Sequence, residues 1–125
     1  MFAPVSPRLR CLAVILFWLA LVFAIVMALL PKPPQLPGDH LGDKVHHIIA
    51  FATLTALAAL AFRRELRWRI AERLSFLGAL IEVAQAIPAL HRDCDIRDWI
   101  ADTLAILLVT GMVSAWTRWK RRALQ

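Results

Sequence analysis

Cysteine is scarce in this chain, and so are charge and polar surface. Two cysteines, Cys11 and Cys94, cannot build a disulfide framework. They fall at opposite ends of the expected topology, so free thiols are expected, with Cys94 alone placed for an intermolecular bridge. Charged residues make up 19% of the 125 residues and apolar ones 60%. Soluble domains are about 45–50% apolar, so too few polar groups remain to cover a surface in water. No zinc-finger, Walker or Rossmann spacing is present, and no repeat or low-complexity segment. Acids are outnumbered, nine against fifteen Lys and Arg, for a net charge of +6. The basic residues lie in short blocks between apolar runs. That is the pattern of anchors beside a membrane, not of a groove that tracks phosphates, so no nucleic-acid partner is expected.

What is present in excess is apolar sequence in helix-length runs. Residues 11–30 form one of 20 residues, about 30 Å of helix, one bilayer core. Thirteen of these are Leu, Ile, Val or Phe, which favours insertion by roughly 4–8 kcal/mol. The run exceeds a signal peptide's apolar core of about 7–15 residues, and Leu29-Leu30-Pro31-Lys32 makes a poor cleavage site, so a retained helix is expected. Residues 31–42, rich in Pro and Gly, read as a loop. A second helix is expected at about 43–62, reaching full bilayer thickness only if His47 and Lys44 sit within the boundary. Five arginines in 63–73 read as a loop. A third helix follows at about 73–90, interrupted by Glu82 and Gln85 and kinked or ended by Pro88. A short polar loop precedes a fourth helix at about 98–117. The expected fold is an all-α membrane protein, a single domain over 1–125 forming a four-transmembrane-helix bundle.

Lysine and arginine counts set its orientation. The N-terminus, the 63–73 loop and the C-terminus carry eleven, the opposite ends four: Lys32, Lys44, Arg92 and Arg97. The positive-inside rule then predicts both termini in the cytoplasm (N-in/C-in) and a multi-pass protein of the bacterial plasma membrane. Trp68, Trp99, Trp116 and Trp119 fall near the expected interfaces. Acids concentrate at the outer end: Asp39, Asp43, Glu82, Asp93, Asp95, Asp98 and Asp102. Asp43 and His47 share a helix face, as do Asp98 and Asp102. Glu82 stands six residues before Pro88, roughly 9 Å deep. An acid there costs about 2.5–3.5 kcal/mol, against ~2.4–4.8 returned by the eight Leu, Ile, Val and Phe of that helix. The helix should therefore insert with Glu82 facing partners, and Lys44, His47 and Arg92 are the candidates.

Three motifs in order resemble those of the VanZ-like family of small bacterial membrane proteins. They are Asp43-Lys44-x-x-His47-x-x-x-Phe51, Gly78-x-x-x-Glu82-x-x-Gln85, and Arg92 followed by Asp98-x-x-Ala101. The resemblance covers roughly 43–112. It departs at Asp102, where the family usually has Asn, and at Ala105, where it usually has Gly. It implies a cell-envelope role, in a family associated with resistance to the glycopeptide teicoplanin, and no defined reaction.

Three functional readings follow. The first is a non-enzymatic envelope module. Its polar cluster (Asp43, Lys44, His47, Glu82, Gln85, Arg92, Asp95, Asp98, Asp102) clamps helices or binds a lipid-linked or cell-wall glycan head group, with complementary charges paired as buried charges in membranes normally are. The second is an enzyme acting on a lipid-linked or cell-wall substrate at the outer face. There His47 oriented by Asp43 is the general base, Glu82 the acid, and Asp95, Asp98 and Asp102 the weak candidates for a hard divalent cation. No nucleophile motif supports it, and acids favour helix N-termini in any case. The third is proton or ion transport, for which the apolar inner half of every span offers no polar trail. No cofactor is expected. The 91–95 loop matches no zinc spacing, His40 and His46 read as interfacial, and the arginines of 63–73 are explained by topology. The bilayer is the expected partner, and a homodimer is compatible with so few helices.

Overall fold

A computed structural model describes residues 6–31, 34–35, 37, 40 and 42–125. Lys32 and Asp39, counted above at the outer end, lie outside the described residues. The described residues form four long helices, α1 (Pro7–Leu29), α2 (Asp43–Ala61), α3 (Arg67–Gln85) and α4 (Ile96–Ala123), with a 3-10 turn at Pro88–Leu90. There is no strand among the described residues.

Local chemistry accounts for the boundaries. Ser6 caps α1 by accepting from the N–H of Leu9 at 3.2 Å, and Pro7 occupies the first turn, where its missing N–H costs nothing. Gly42, at φ 91°, supplies the left-handed turn into α2. Pro88 forces Ile87 into an extended conformation, so α3 cannot continue past it. Asp95 caps α4 through the N–H of Arg97 at 2.9 Å, and Lys120, Arg121 and Arg122 face the negative end of its dipole.

Three helices need corrected bounds, and α1 runs over 7–29, not 11–30. α3 runs over 67–85, not 73–90, and α4 over 96–123, not 98–117. Arg67, Arg69 and Arg73 are helical residues instead of loop residues. Arginine is a good helix former, so both helices continue past the apolar stretch into charged sequence.

Successive helices run antiparallel. At one end Arg10 of α1 donates to the carbonyl of Ala61, the last residue of α2, and Arg67 of α3 donates to Ser114 and Thr117 of α4. At the other end Gln85 of α3 donates to the carbonyl of Ala28 in α1, and the start of α2 meets the start of α4. The core between them is built of Phe17, Phe51, Leu54, Ala58, Ile70, Leu74, Ile81 and Ile106. Phe17 meets Phe62 edge to face at 5.1 Å.

The outside of the bundle is apolar too. Leu19, Val22 and Phe23 of α1 and Leu104, Leu107, Leu108 and Met112 of α4 are more than half exposed. Water is a poor solvent for such a surface, and a bilayer is a good one. α1, α2 and α4 are each long and apolar enough to cross a membrane. α3 differs because its first two turns carry Arg67, Arg69, Glu72 and Arg73.

Candidate functional site

The interior of the end where α2 and α4 begin is polar. His47, Glu82, Gln85 and Asp102 are all buried there, on three helices. α2 contributes His47 one turn after its start, α3 contributes Glu82 and Gln85 in its last turn, and α4 contributes Asp102 in its second turn. Gly78 lets the three approach. A β-carbon there would lie 3.4 Å from the Phe51 ring, 3.4 Å from Trp99 and 3.5 Å from Asp102 Oδ2.

Direct bonds join the helices. His47 Nδ1 lies 3.3 Å from Asp102 Oδ2, an imidazole–carboxylate hydrogen bond between the two buried groups. The backbone N–H of Asp95 donates to Glu82 Oε2 at 3.1 Å. Around this centre lie two ion pairs, Arg92–Asp43 at 2.9 Å and Lys44–Asp98 at 3.5 Å. Gln85 Nε2 donates to the Ala28 carbonyl at 3.0 Å, satisfying one of the carbonyls orphaned at the C-terminus of α1. Two carboxylate oxygens inside the cluster, Glu82 Oε1 and Asp102 Oδ1, are buried with no hydrogen-bond partner.

The expected cluster is thus brought together, but with different pairings. Neither Lys44 nor Arg92 bonds to Glu82. They pair with Asp98 and Asp43, and Glu82 takes a backbone amide instead. His47 is oriented by Asp102, not by Asp43. Asp95, Asp98 and Asp102 are not the acids that converge: Asp95 caps α4 and Asp98 pairs with Lys44, and only Asp102 joins a converging group of potential ligands. The group of potential ligands that does converge is His47, Glu82 and Asp102. Each offers one ligand atom, and the three atoms lie within 4.8 Å of one another.

Two features are new. Trp99, expected only as an interfacial ring, donates its indole N–H to the Ser75 carbonyl at 3.0 Å. Beside it Ser75 and Thr103 share a hydroxyl hydrogen bond at 2.9 Å. A cavity of about 510 Å³ lies between α1 and α2, walled by apolar residues including Phe23, Ala24 and Ala50. Asp43, His46, His47 and Arg92 line it as well. It follows α2 from Asp43 to Thr53, about 15 Å of helix rise. No periodicity in the sequence signals either feature, since both depend on how one helix is rotated against another.

Outside the helices, partial desolvation and the neighbouring Glu82 carboxylate push the Cys94 thiol above its ordinary range. Cys11 and Cys94 are both free and exposed. No protein-family model, no curated protein and no solved structure matches this chain.

Proposed function

We propose that this chain is a four-span protein of the bacterial plasma membrane, both termini cytoplasmic. In this reading it is a VanZ-like, non-enzymatic envelope module that holds a lipid-like molecule at its outer end. The observation that carries the reading is the cavity: apolar over most of its wall, and lined by Asp43, His47 and Arg92 where α2 begins. That is the profile of an amphiphile, with an acyl chain against Phe23, Ala24 and Ala50 and a head group beside the Asp43–Arg92 pair. The surrounding bonds clamp the helices that form the polar end.

Two further observations support the topology. Arg8, Arg10, Arg67, Arg118, Lys120, Arg121 and Arg122 belong to the bundle end tied by the Arg10 and Arg67 bonds. Phe76, Leu80 and Val83 give α3 an exposed apolar stripe at helical spacing, a face for lipid opposite its buried Glu82.

The test is co-purification. Ala24→Trp and Ala50→Trp fill the cavity without touching the polar cluster. Native mass spectrometry of the wild type released from mild detergent should show a bound lipid or lipid-linked glycan, and both variants should lose it while keeping their melting temperature. Equal retention in all three proteins overturns the reading. Alanine at His47, Glu82, Arg92 and Asp98, scored separately for folding and for teicoplanin susceptibility, then separates clamp from site. The second reading, an enzyme on a lipid-linked substrate, draws on the His47–Asp102 pair, which is an oriented general base in form. Turnover of such a substrate that is lost in His47→Gln supports it.

A further inference from the structure

We propose that His47, Glu82 and Asp102 form a binding site for a divalent transition-metal ion of the zinc or manganese class. The site stands independently of what fills the cavity. Its three ligand atoms come from three helices and lie within 4.8 Å of one another, and all three residues are more than nine-tenths buried. A first-row ion binds imidazole nitrogen and carboxylate oxygen at about 2.0–2.2 Å, which puts neighbouring ligands ~3.4 Å apart in a tetrahedral site. Closing the triad therefore takes side-chain movements of about 1 Å, within ordinary rotamer wells.

Two independent observations point to a cation and not merely to a polar core. The first is the pair of orphaned oxygens, Glu82 Oε1 and Asp102 Oδ1, buried in the cluster without partners. Buried carboxylate oxygens are normally satisfied, and two unsatisfied ones in one cluster call for a ligand. The second is the local charge balance. Lys44 is committed to Asp98 and Arg92 to Asp43, so neither of these side chains pairs with Glu82 or Asp102, which face only the His47 imidazole and a backbone N–H. A divalent ion balances two carboxylates, and a neutral imidazole completes the ligand set without adding charge. The donor types select the ion. Imidazole disfavours magnesium and calcium, which want oxygen alone, and the absence of thiolate from the triad disfavours copper(I).

The site also explains why the cluster is built across α2, α3 and α4. An ion held by one side chain from each ties them at a single point, where any pairwise bond ties only two. Outer-sphere groups are in place as well, since the Asp95 N–H already orients the Glu82 carboxylate.

Metal-stripped full-length protein in detergent tests the proposal, titrated with Zn²⁺, Mn²⁺ and Mg²⁺ and read by calorimetry and by elemental analysis after desalting. The expected result is one Zn²⁺ or Mn²⁺ per chain, with Mg²⁺ bound at least tenfold more weakly. Glu82→Gln, Asp102→Asn and His47→Ala should each weaken binding at least tenfold. Glu65→Gln and Glu72→Gln, acids at the opposite end of the bundle, should leave it unchanged. Co²⁺ on the wild type gives a readout that needs no variant to fold: visible d–d bands of a nitrogen and oxygen ligand set, displaced by Zn²⁺. Absence of stoichiometric binding to the wild type overturns the site. So does a preference for Mg²⁺, or binding that persists in Glu82→Gln and Asp102→Asn.

Discussion

The His47–Asp102 bond makes an asymmetric prediction. Two magnitudes compete for its worth. An ordinary interhelical hydrogen bond in a membrane protein averages about 0.6 kcal/mol and reaches about 1.7, whereas a buried charged group left without its partner costs about 3–5. Asp102 is 0% exposed, and its Oδ1 already lacks a partner. His47→Ala therefore strips the carboxylate of its hydrogen bond and leaves both oxygens bare in the bundle. It should cost about 3 kcal/mol, roughly two decades in the folding equilibrium. Asp102→Ala leaves an imidazole short of one hydrogen bond and removes one of two neighbouring acids. It should cost about 1–2 kcal/mol, in the hydrogen-bond range. The double variant should cost little more than Asp102→Ala alone, giving a coupling of about 2–3 kcal/mol. Reversible unfolding in mixed micelles, followed by tryptophan fluorescence, measures all four proteins, with chelator throughout so that no ion contributes. Equal single effects that add within about 0.5 kcal/mol would refute the reasoning.

Other outcomes follow from neighbouring contacts. Gly78→Ala places its methyl at ordinary contact distance from Phe51, Trp99 and Asp102, so it should be neutral or stabilising by up to about 1 kcal/mol. Gly78→Leu should overpack the three-helix junction and cost about 1–3 kcal/mol in the same assay. Gln85→Leu removes the tie from α3 to the Ala28 carbonyl. It should cost about 1 kcal/mol and speed hydrogen exchange over residues 26–30, with no change in the middle of α4. The raised thiol pKa leaves less thiolate on Cys94 at neutral pH. In the proposed orientation a membrane-impermeant maleimide should therefore label it from outside more slowly than an unperturbed surface thiol, with the rate climbing as pH rises. Glu82→Gln should speed that labelling at neutral pH, and Cys11 should stay unlabelled in sealed cells.

The sequence made the helices legible because each apolar run is itself long enough to be read. It misplaced ends wherever helix and hydrophobicity part company. α3 starts at Arg67 and α4 continues through Arg122 because arginine and lysine favour helix while ending an apolar run. The members of the polar cluster were legible for a related reason: a histidine, a glutamate and a glutamine in otherwise apolar helices stand out. Their pairings were not. Spacing of four puts Asp43 and His47 on one face of α2, yet Asp43 reaches Arg92 and His47 reaches Asp102. Periodicity fixes which residues share a face but not how far that face is turned toward the next helix. Glu82 was harder still. Its partner is a backbone amide, which every residue except proline offers, so no side chain in the sequence announces it.

The cluster's pairings also have a temporal side. His47 precedes its partner Asp102 by 55 residues. At synthesis rates of about 5–20 residues per second, this interval lasts about 3–11 s. Through it α2 exists with a histidine and a lysine whose native counterparts have not yet been made. Of the four helices, the last to be made is the one that closes the cluster. A chain that stops at the loop before α4 keeps Arg92 for Asp43 but never acquires the acids for Lys44 and His47. The cluster is therefore complete only once α4 has been made.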